Sequence, residues 1–424
     1  MRPQGVIDDD ASVRILPLGT GHDAAVLLQT RGIRAFGDGI VSVVLAGYLA
    51  ALGLSGARIG AVVAATLLGS AALTLGVGLR GHRVGRRRLL QLVSVLMVLT
   101  GLGFAAANGF WVLLVVAFVG TLNPSGGDVS VFLPTEQALL PGTAPDSQRT
   151  GLFARYTLIG SLVAAFGALC AAVPEWIAAR VEVSDETALR WTFVGYAVLG
   201  ATVLLRYRSL SSAIEPPTEA PAVALGPSRG IVYRLAALFT LDAFGGGFVL
   251  TALVVLWLQR RFDLSIAISG AVFFWAGLLS AFSSLVAVRI ARRIGLVRTM
   301  VFTHLPANGF LILAAFMPDA RAAIAALLVR SALSQMDVPV RTSYVMAVVS
   351  PAERPAAASV TNVPRSLASV VPPILAGWLL GHSPFGWPLV IGGALKISYD
   401  LLLLRTFRDV RPPEEQVVED ISQP

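Results

Sequence analysis

Apolar stretches of about twenty residues recur along this chain, and they constrain its fold more than any other feature. A hydrocarbon core of ~30 Å requires about twenty apolar residues of α-helix to cross it. Hydrophobic residues make up 55% of the 424 residues and charged residues only 14%, whereas soluble domains are about a quarter charged. The sequence therefore predicts an all-α integral membrane protein and excludes a soluble enzyme, a disulfide-stapled secreted domain and a disordered chain.

The apolar stretches divide into two sets of six predicted spans. The first set lies roughly at 33–54, 58–79, 89–107, 110–140, 149–173 and 187–207, and the second at 230–259, 265–288, 299–317, 321–350, 355–381 and 385–406. The predicted organisation is a flexible cytoplasmic tail (1–30), a first bundle (31–207), a proline-rich cytoplasmic linker (208–229), a second bundle (230–408) and a second cytoplasmic tail (409–424).

The net charge of +8 reflects how the chain is oriented in the membrane and does not indicate a nucleic-acid partner. Arginines cluster in alternate loops, with the densest group at Arg80, Arg83, Arg86, Arg87 and Arg88. Such loops are cytoplasmic under the positive-inside rule. The sequence therefore predicts a multi-pass protein of the cell or inner membrane with both termini cytoplasmic. The lone cysteine, Cys170, lies in a predicted span and excludes an internal disulfide.

The two halves repeat each other at a nearly constant offset. Phe36–Gly39 parallels Phe244–Gly247, Gly60–Val62 parallels Gly270–Val272, Arg83–Gly85 parallels Arg293–Gly295, and Asp128–Val131 parallels Asp337–Val340. The offset stays between 208 and 210 residues, and the matches include charged residues and glycines. Parallel six-span repeats are a transporter architecture.

The loop after the second span carries a more specific pattern. A loop signature of a known transporter family, G-x-L-A-D-R-x-G-R-R, is matched here at Gly78, Arg83, Gly85, Arg86 and Arg87. His82 replaces the aspartate of that signature, and Arg80 replaces its apolar residue. With this loop and the repeat, the chain from about 33 to 407 resembles the major facilitator superfamily. The resemblance implies two pseudo-symmetric six-helix bundles, alternating access, and a role for these five residues in the conformational switch.

Ionisable residues inside membrane helices are expensive and mark candidate functional sites. In the tenth span, steps of three or four residues place a stripe on one helical face, formed by Arg330, Ser334, Asp337, Arg341 and Tyr344. We expect the stripe to line a central cavity. The alternative is an internal Asp337–Arg341 ion pair that only fastens helices.

The fourth span presents the corresponding face with Thr121, Ser125, Asp128 and Thr135, and Glu136 lies beside it. The run Asn123–Gly127 interrupts this span. Irregular backbone at membrane depth is tolerated only where it is buried in protein or lines water. The break is therefore either a substrate-contacting element or a cytoplasmic loop reached early.

Asp38 and Asp242 lie near glycines in the repeat-related first and seventh spans. A buried carboxylate can take up a proton when a cavity opens to one side. Asp38 could instead pair with Arg34. Arg155 and Arg365, in the fifth and eleventh spans, could neutralise these acids or hold an anion, and Asn362 lies one turn before Arg365.

Lys396 is the single lysine, and Asp400 follows it at i+4, so we predict a structural pair between them. The four histidines have no metal-ligand spacing and no P-loop is present, so neither a metal nor another cofactor is predicted.

The sequence predicts a monomeric secondary active transporter of a small organic solute, coupled to protons, with export favoured over import and without enzymatic activity. The alternatives are a facilitator or organic-anion exchanger and, from another class, a non-transporting membrane receptor or assembly factor. The predicted partners are the solute, protons and the lipid bilayer.

Overall fold

A computed structural model describes residues 21–80, 84–125, 130–211, 214, 225–350, 353–408 and 410, and these are almost entirely helical. The helices are α1 (His22–Ala51), α2 (Gly56–Arg80), α3 (Arg86–Ala106), α4 (Phe110–Val119), α5 (Phe132–Leu139), α6 (Asp146–Leu169), α7 (Val173–Val181), α8 (Asp185–Arg208), α9 (Arg229–Gly247), α10 (Thr251–Phe262), α11 (Ile266–Ile294), α12 (Leu296–Phe316), α13 (Ala320–Ser334), α14 (Asp337–Val348), α15 (Arg354–Ala368), α16 (Pro372–His382) and α17 (Trp387–Phe407).

Within the described residues, eleven helices or consecutive helix pairs are long and apolar enough to cross a membrane. The shorter α4, followed by α5, occupies the place of the predicted fourth span and completes the set of twelve. The predicted all-α membrane fold is confirmed.

The first helix begins at His22, so residues 22–30 are helical and the prediction of a flexible tail over 1–30 is wrong for them. The α-helical pattern continues there because Ala24, Val26, Leu27 and Leu28 are buried against the bundle.

The helix starts reproduce the internal repeat. The pairs α2/α11, α3/α12 and α4/α13 each begin exactly 210 residues apart. Gly85 and Gly295 precede α3 and α12 with φ angles of 77° and 85°, a region that favours glycine. Equivalent glycines therefore form the same sharp turn before the third helix of each half.

Several helices begin at a side chain that satisfies a free backbone N–H group. Ser184, Ser265 and Asp319 accept such bonds from Thr187, Ile268 and Ala322 at the starts of α8, α11 and α13. All three caps lie on one side of the membrane, which we call the far side. The linker side is the opposite one, where α1 begins and α8, α9 and α17 meet the linker or a chain end.

Large apolar side chains remain exposed on the outside of the bundles. Trp111 is 74% exposed and Trp176 is 59% exposed. On a bilayer-spanning protein this surface faces acyl chains, so its exposure costs nothing, and the buried core is confined to the helix contacts.

Helix breaks occur in both bundles. The fourth span is broken between α4 and α5, the seventh between α9 and α10, the tenth between α13 and α14, and the eleventh between α15 and α16. Backbone polar groups freed at such breaks need partners inside the protein. The breaks thus determine where a polar site can form.

Candidate functional site

The broken fourth and seventh spans meet across the two bundles. The backbone N–H of Ala252 donates to the Pro124 carbonyl at 3.3 Å, and the Thr251 hydroxyl donates to the Ser125 carbonyl at 3.1 Å. One free backbone N–H at the N-terminus of α10 is therefore satisfied by a carbonyl of the other bundle. The interruption at Asn123–Ser125 lies against protein, and Asn123 itself is 1% exposed.

Asp242, on α9 just before the break, is the centre of a buried charge cluster in the second bundle. Arg341 Nη1 approaches Asp242 Oδ2 at 3.0 Å and Asp337 Oδ2 at 3.3 Å. Lys396 Nζ donates to Asp242 Oδ1 at 2.6 Å. All four residues are at most 8% exposed. The cluster ties α9, α14 and α17 together, since a buried charge is tolerated only when paired.

Asp400 has a separate set of partners. His304 Nδ1 lies 2.9 Å from Asp400 Oδ1, and Asn308 Nδ2 lies 3.2 Å from Asp400 Oδ2. The predicted Lys396–Asp400 pair is therefore wrong. Although i+4 spacing allows that pair, the Lys396 side chain instead reaches the carboxylate of α9, while α12 supplies donors to Asp400.

The tenth-span stripe is only partly what the spacing predicted. Asp337, Arg341 and Tyr344 are buried inside the second bundle, and the Tyr344 hydroxyl donates to the Val410 carbonyl at 3.0 Å. The Asp337–Arg341 pair that formed the alternative interpretation is present. Arg330 and Ser334 are half-buried, and no hydrogen bond partner is described for the buried Arg330 Nε.

Glu136 forms the corresponding buried centre of the first bundle. It is 0% exposed, pairs with Arg34, and accepts hydrogen bonds from Tyr156, from Tyr207 and, at 3.0 Å, from Thr30. The Arg34 guanidinium also lies 4.4 Å from the Phe132 ring centroid. Four donors from α1, α6 and α8 thus converge on one carboxylate, an arrangement that holds the linker-side half of the bundle together.

The other described candidates for substrate or proton binding lie on α1, α6 and α15, and Arg365 interacts electrostatically with Asp242. Asp38 is 6% exposed on α1, Arg155 is half-buried on α6, and Asn362 is exposed on α15. Arg365 is half-buried on α15, and its buried Nε has no hydrogen-bond partner among the described residues. Asp128 lies outside the described residues.

The predicted switch loop anchors the linker-side ends of the first bundle. Arg87 donates to the Arg208 carbonyl at 2.8 Å, and Arg86 donates to the Ala138 carbonyl at 3.4 Å. Cations near helix C-termini also complement the helix dipole. Gly78 is exposed near the end of α2, Gly85 opens α3, and Arg83 lies outside the described residues.

The two bundles also meet at the far side, a contact that the sequence did not predict. Glu175 on α7 accepts the N–H groups of Ile266 at 2.8 Å and Ala267 at 3.2 Å at the start of α11. A cavity of ≈ 240 Å³ lies beside this contact and is lined by Gly47, Ala50, Ala51, Glu175, Asp185, Leu189, Gln259, Ser265 and Ile266. Nothing in the local pattern around Glu175 marks it, since its partners are backbone groups 91 and 92 residues away.

No cluster of three metal-ligating side chains is present in the part of the chain that the structure describes. The two buried centres are ion-pair and hydrogen-bond networks at helix breaks, which define a polytopic membrane protein with a polar interior. Such an interior is typical of a transporter.

The Major Facilitator Superfamily model matches residues 30–330 and 235–423, so this chain belongs to that superfamily and is a membrane transporter. An uncharacterized membrane protein of Saccharomyces cerevisiae is 25% identical over 92% of this chain and 95% of its own length. Family membership indicates a transporter and not an enzyme.

Solved structures share the fold at low sequence identity. A bacterial homolog of the human lysosomal transporter Spinster, inward-facing and occupied, is 15% identical with a TM-score of 0.71, and the alignment covers 92% of this chain and 97% of that one. The nucleoside transporter NupG is 13% identical with a TM-score of 0.70, covering 92% and 100%. A D-xylose–proton symporter is 17% identical with a TM-score of 0.68, covering 90% and 96%.

Proposed function

We propose that this protein is a monomeric, proton-coupled secondary transporter of a small organic solute that works by alternating access. The observation that carries the proposal is the Asp242 cluster, in which a buried carboxylate beside a helix break binds two cations from two other helices. A proton taken up in or beside this cluster would change its charge pattern next to the break, and that change would alter the packing of α9 and α10.

Alternating access requires contacts between the bundles that form on one side at a time. Glu175 with the start of α11, and Gly60 of α2 with Pro373 of α16, hold the bundles together at the far side. Opening toward the far side must break both contacts. The arginine-rich loops support a cytoplasmic linker side, and a far-side closure would then give access from the cytoplasm. We propose export as the direction of transport, which the flux experiment below tests.

The experiment begins with a thermal-shift screen of the purified protein against metabolites and drugs at two pH values. A ligand found in this way is then tested in proteoliposomes with an imposed pH gradient of either sign. We expect flux that follows the gradient, and a loss of that dependence in Asp242→Asn. Flux indifferent to the gradient would contradict proton coupling, and the sign of the effective gradient reports the direction of transport. Absence of any flux would favour the receptor or assembly-factor alternative.

Arg365 favours a second candidate, an organic-anion exchanger. Its guanidinium forms no ion pair with another described residue, and its Nε lies buried without a hydrogen-bond partner. An anion bound between the bundles would satisfy it. A human organic anion transporter shares the fold with a TM-score of 0.59 at 17% identity. Arg365→Gln should abolish stabilisation by anionic ligands, whereas Arg354→Gln, an exposed position on the same helix, should leave it intact.

A further inference from the structure

The pair His304–Asp400 lies inside the second bundle, and Asp400 follows Lys396 by one helix turn on α17. His304 is 4% exposed on α12 and Asp400 is 0% exposed on α17. The function proposed above uses neither residue. A buried histidine with a carboxylate partner is the side-chain pair best suited to change its charge near neutral pH.

The geometry of the pair requires a shared proton. His304 Nδ1 is 2.9 Å from Asp400 Oδ1, a separation that two acceptors without a proton would not hold. A proton therefore lies between the two atoms, and Asp400 orients the ring. The imidazole side chain retains 6% exposure.

Asn308 reinforces the carboxylate through its side-chain amide. Its side-chain nitrogen lies 3.2 Å from Asp400 Oδ2 and 3.2 Å from His304 Nδ1. Donation to Oδ2 satisfies the second carboxylate oxygen, so the pair keeps its hydrogen bonds whether the imidazole is neutral or charged. A polar network satisfied in both charge states can switch between them without local unfolding.

The charges around the pair can be counted by contact. Arg341 contacts Asp242 and Asp337, and Lys396 contacts Asp242, so these four residues balance as two carboxylates and two permanent cations. Asp400 contacts His304 and Asn308 and none of these cations. A buried carboxylate without a cationic partner is costly, and a proton on His304 supplies that partner.

Other polar and charged groups around the pair must be considered. The Tyr399 ring on α17 packs edge-on against His304, with 6.0 Å between ring centroids. Arg365 on α15 interacts electrostatically with Asp242, and Arg330 lies on the adjacent α13. Arg330 and Arg365 form no ion pair with the other described residues, so they do not replace the missing positive charge by contact.

We infer that His304, oriented by Asp400, binds the coupling proton, and that Lys396 transmits its charge state to Asp242. This inference rests on the proposed proton coupling. Lys396 can do so because it lies one helical turn from Asp400 and donates to Asp242 at 2.6 Å. Loss of the proton from His304 draws Lys396 toward Asp400 and weakens its bond to the carboxylate at the helix break.

The first test measures the protonation of His304 directly and needs no substrate. Substitutions His22→Gln, His82→Gln and His382→Gln leave His304 as the single histidine, and isotope-labelled protein in nanodiscs is titrated by NMR from pH 5 to 9. We expect the imidazole signal to pass from the charged to the neutral form in this interval, and Asp400→Asn to remove that transition from it. A signal that stays in one form in both proteins would overturn the inference and make the pair a structural bond.

The second test separates this inference from the proposed function. Spin labels at Arg88→Cys and Arg298→Cys, in a Cys170→Ala background, report the linker-side separation of the bundles by pulsed electron resonance. We expect a pH-dependent distance distribution that becomes pH-independent in His304→Gln and is retained in His382→Gln. A distribution that never responds to pH contradicts proton coupling itself. A response that survives in His304→Gln contradicts only the assignment to His304.

Discussion

Glu175 Oε1 accepts the backbone N–H of Ile266 at 2.8 Å, joining the end of the fifth span in the first bundle to the start of the eighth span in the second. The carboxylate sits at a helix N-terminus, where the helix dipole favours negative charge. Ser265 caps the same terminus through Ile268 at 3.2 Å, so Glu175 supplies acceptors to the two N–H groups that Ser265 leaves free. The contact is polar and short-ranged, so under the alternating access proposed above it stabilises only the conformation in which the far side is closed.

Replacing Glu175 by glutamine should shift the conformational equilibrium toward opening at the far side. The substitution keeps one acceptor and removes the charge, a loss of about 1–2 kcal/mol and hence about a 5–30-fold change in population. Spin labels at Gly109→Cys and Pro318→Cys, both exposed in far-side loops, measure the separation in a Cys170→Ala background. Asp185→Asn is the matched control, because Asp185 lines the same cavity but is exposed. Equal distributions in Glu175→Gln and the unsubstituted protein would remove the role assigned to this contact.

Replacing Glu136 by glutamine should destabilise the first bundle strongly. The change leaves the Arg34 charge without its buried Glu136 partner, which costs about 3–5 kcal/mol. Glu186→Gln is the control, because Glu186 pairs with Arg190 at 2.8 Å with its side chain 42% exposed, and such pairs contribute about 0–1 kcal/mol. Unfolding by denaturant in micelles compares the two variants. Equal losses would mean that Glu136 is not the structural centre that its contacts indicate.

The helices could be predicted from sequence because the signal for each lies within its own segment. Twenty apolar residues specify a span locally, and the repeat of Gly85 and Gly295 specifies where the third span of each half begins. Residue spacing also placed Asp337 near Arg341, since i+4 neighbours share a helix face whatever the tertiary structure.

Partners from other helices could not be predicted in the same way. The spacing rule that gave Asp337–Arg341 also gave Lys396–Asp400, yet Lys396 binds Asp242, 154 residues away. Both i+4 pairs satisfy helical periodicity, and whether such a pair forms depends on how the helices pack. For Lys396, the packing of α9, α12 and α17 determines its partner. The partners of Glu175 are backbone groups, which carry no residue-type signal. His304 lies within the predicted span 299–317, but its partner Asp400 is 96 residues further on.

A double-mutant cycle distinguishes the two partners of Lys396. We expect Lys396→Met and Asp242→Asn to show a coupling energy of at least ~1 kcal/mol in unfolding free energy, because the residues are in direct contact. The cycle with Lys396→Met and Asp400→Asn should give a distinctly smaller coupling energy, since those side chains interact electrostatically without direct contact. Denaturant titration in micelles supplies all the free energies. The reverse order of the two coupling energies would contradict the observed pairing.

Glu353 should make the end of the linker sensitive to acid. Hydrogen bonds from the Ser228 hydroxyl, the Gly226 N–H and the Ser350 hydroxyl stabilise its charged form and lower the pKa of this carboxyl. A lowered folded-state pKa contributes stability above the unfolded value of about 4.3, and that stability is lost as the pH falls through the folded pKa. Amide exchange of residues 225–232, expressed as protection relative to the free peptide, should therefore fall below about pH 4. Glu353→Gln should have low protection at every pH, and pH-independent protection in the unsubstituted protein would contradict the prediction.

Gly60 provides the steric counterpart of the Glu175 contact. A Cβ atom at this position would clash with the Pro373 carbonyl oxygen of α16, so only glycine allows α2 and α16 to approach this closely. Gly60→Leu should therefore force the bundles apart at the far side and lengthen the distance between labels at Gly109→Cys and Pro318→Cys. Gly76→Leu is the control on the same helix, because a Cβ there meets no atom within 4 Å. Adding Glu175→Gln to Gly60→Leu should cause little further opening, since the clash at position 60 already separates the groups that the Glu175 contact joins. Additive opening by the two substitutions would show that the far side closes through independent contacts and not as one unit.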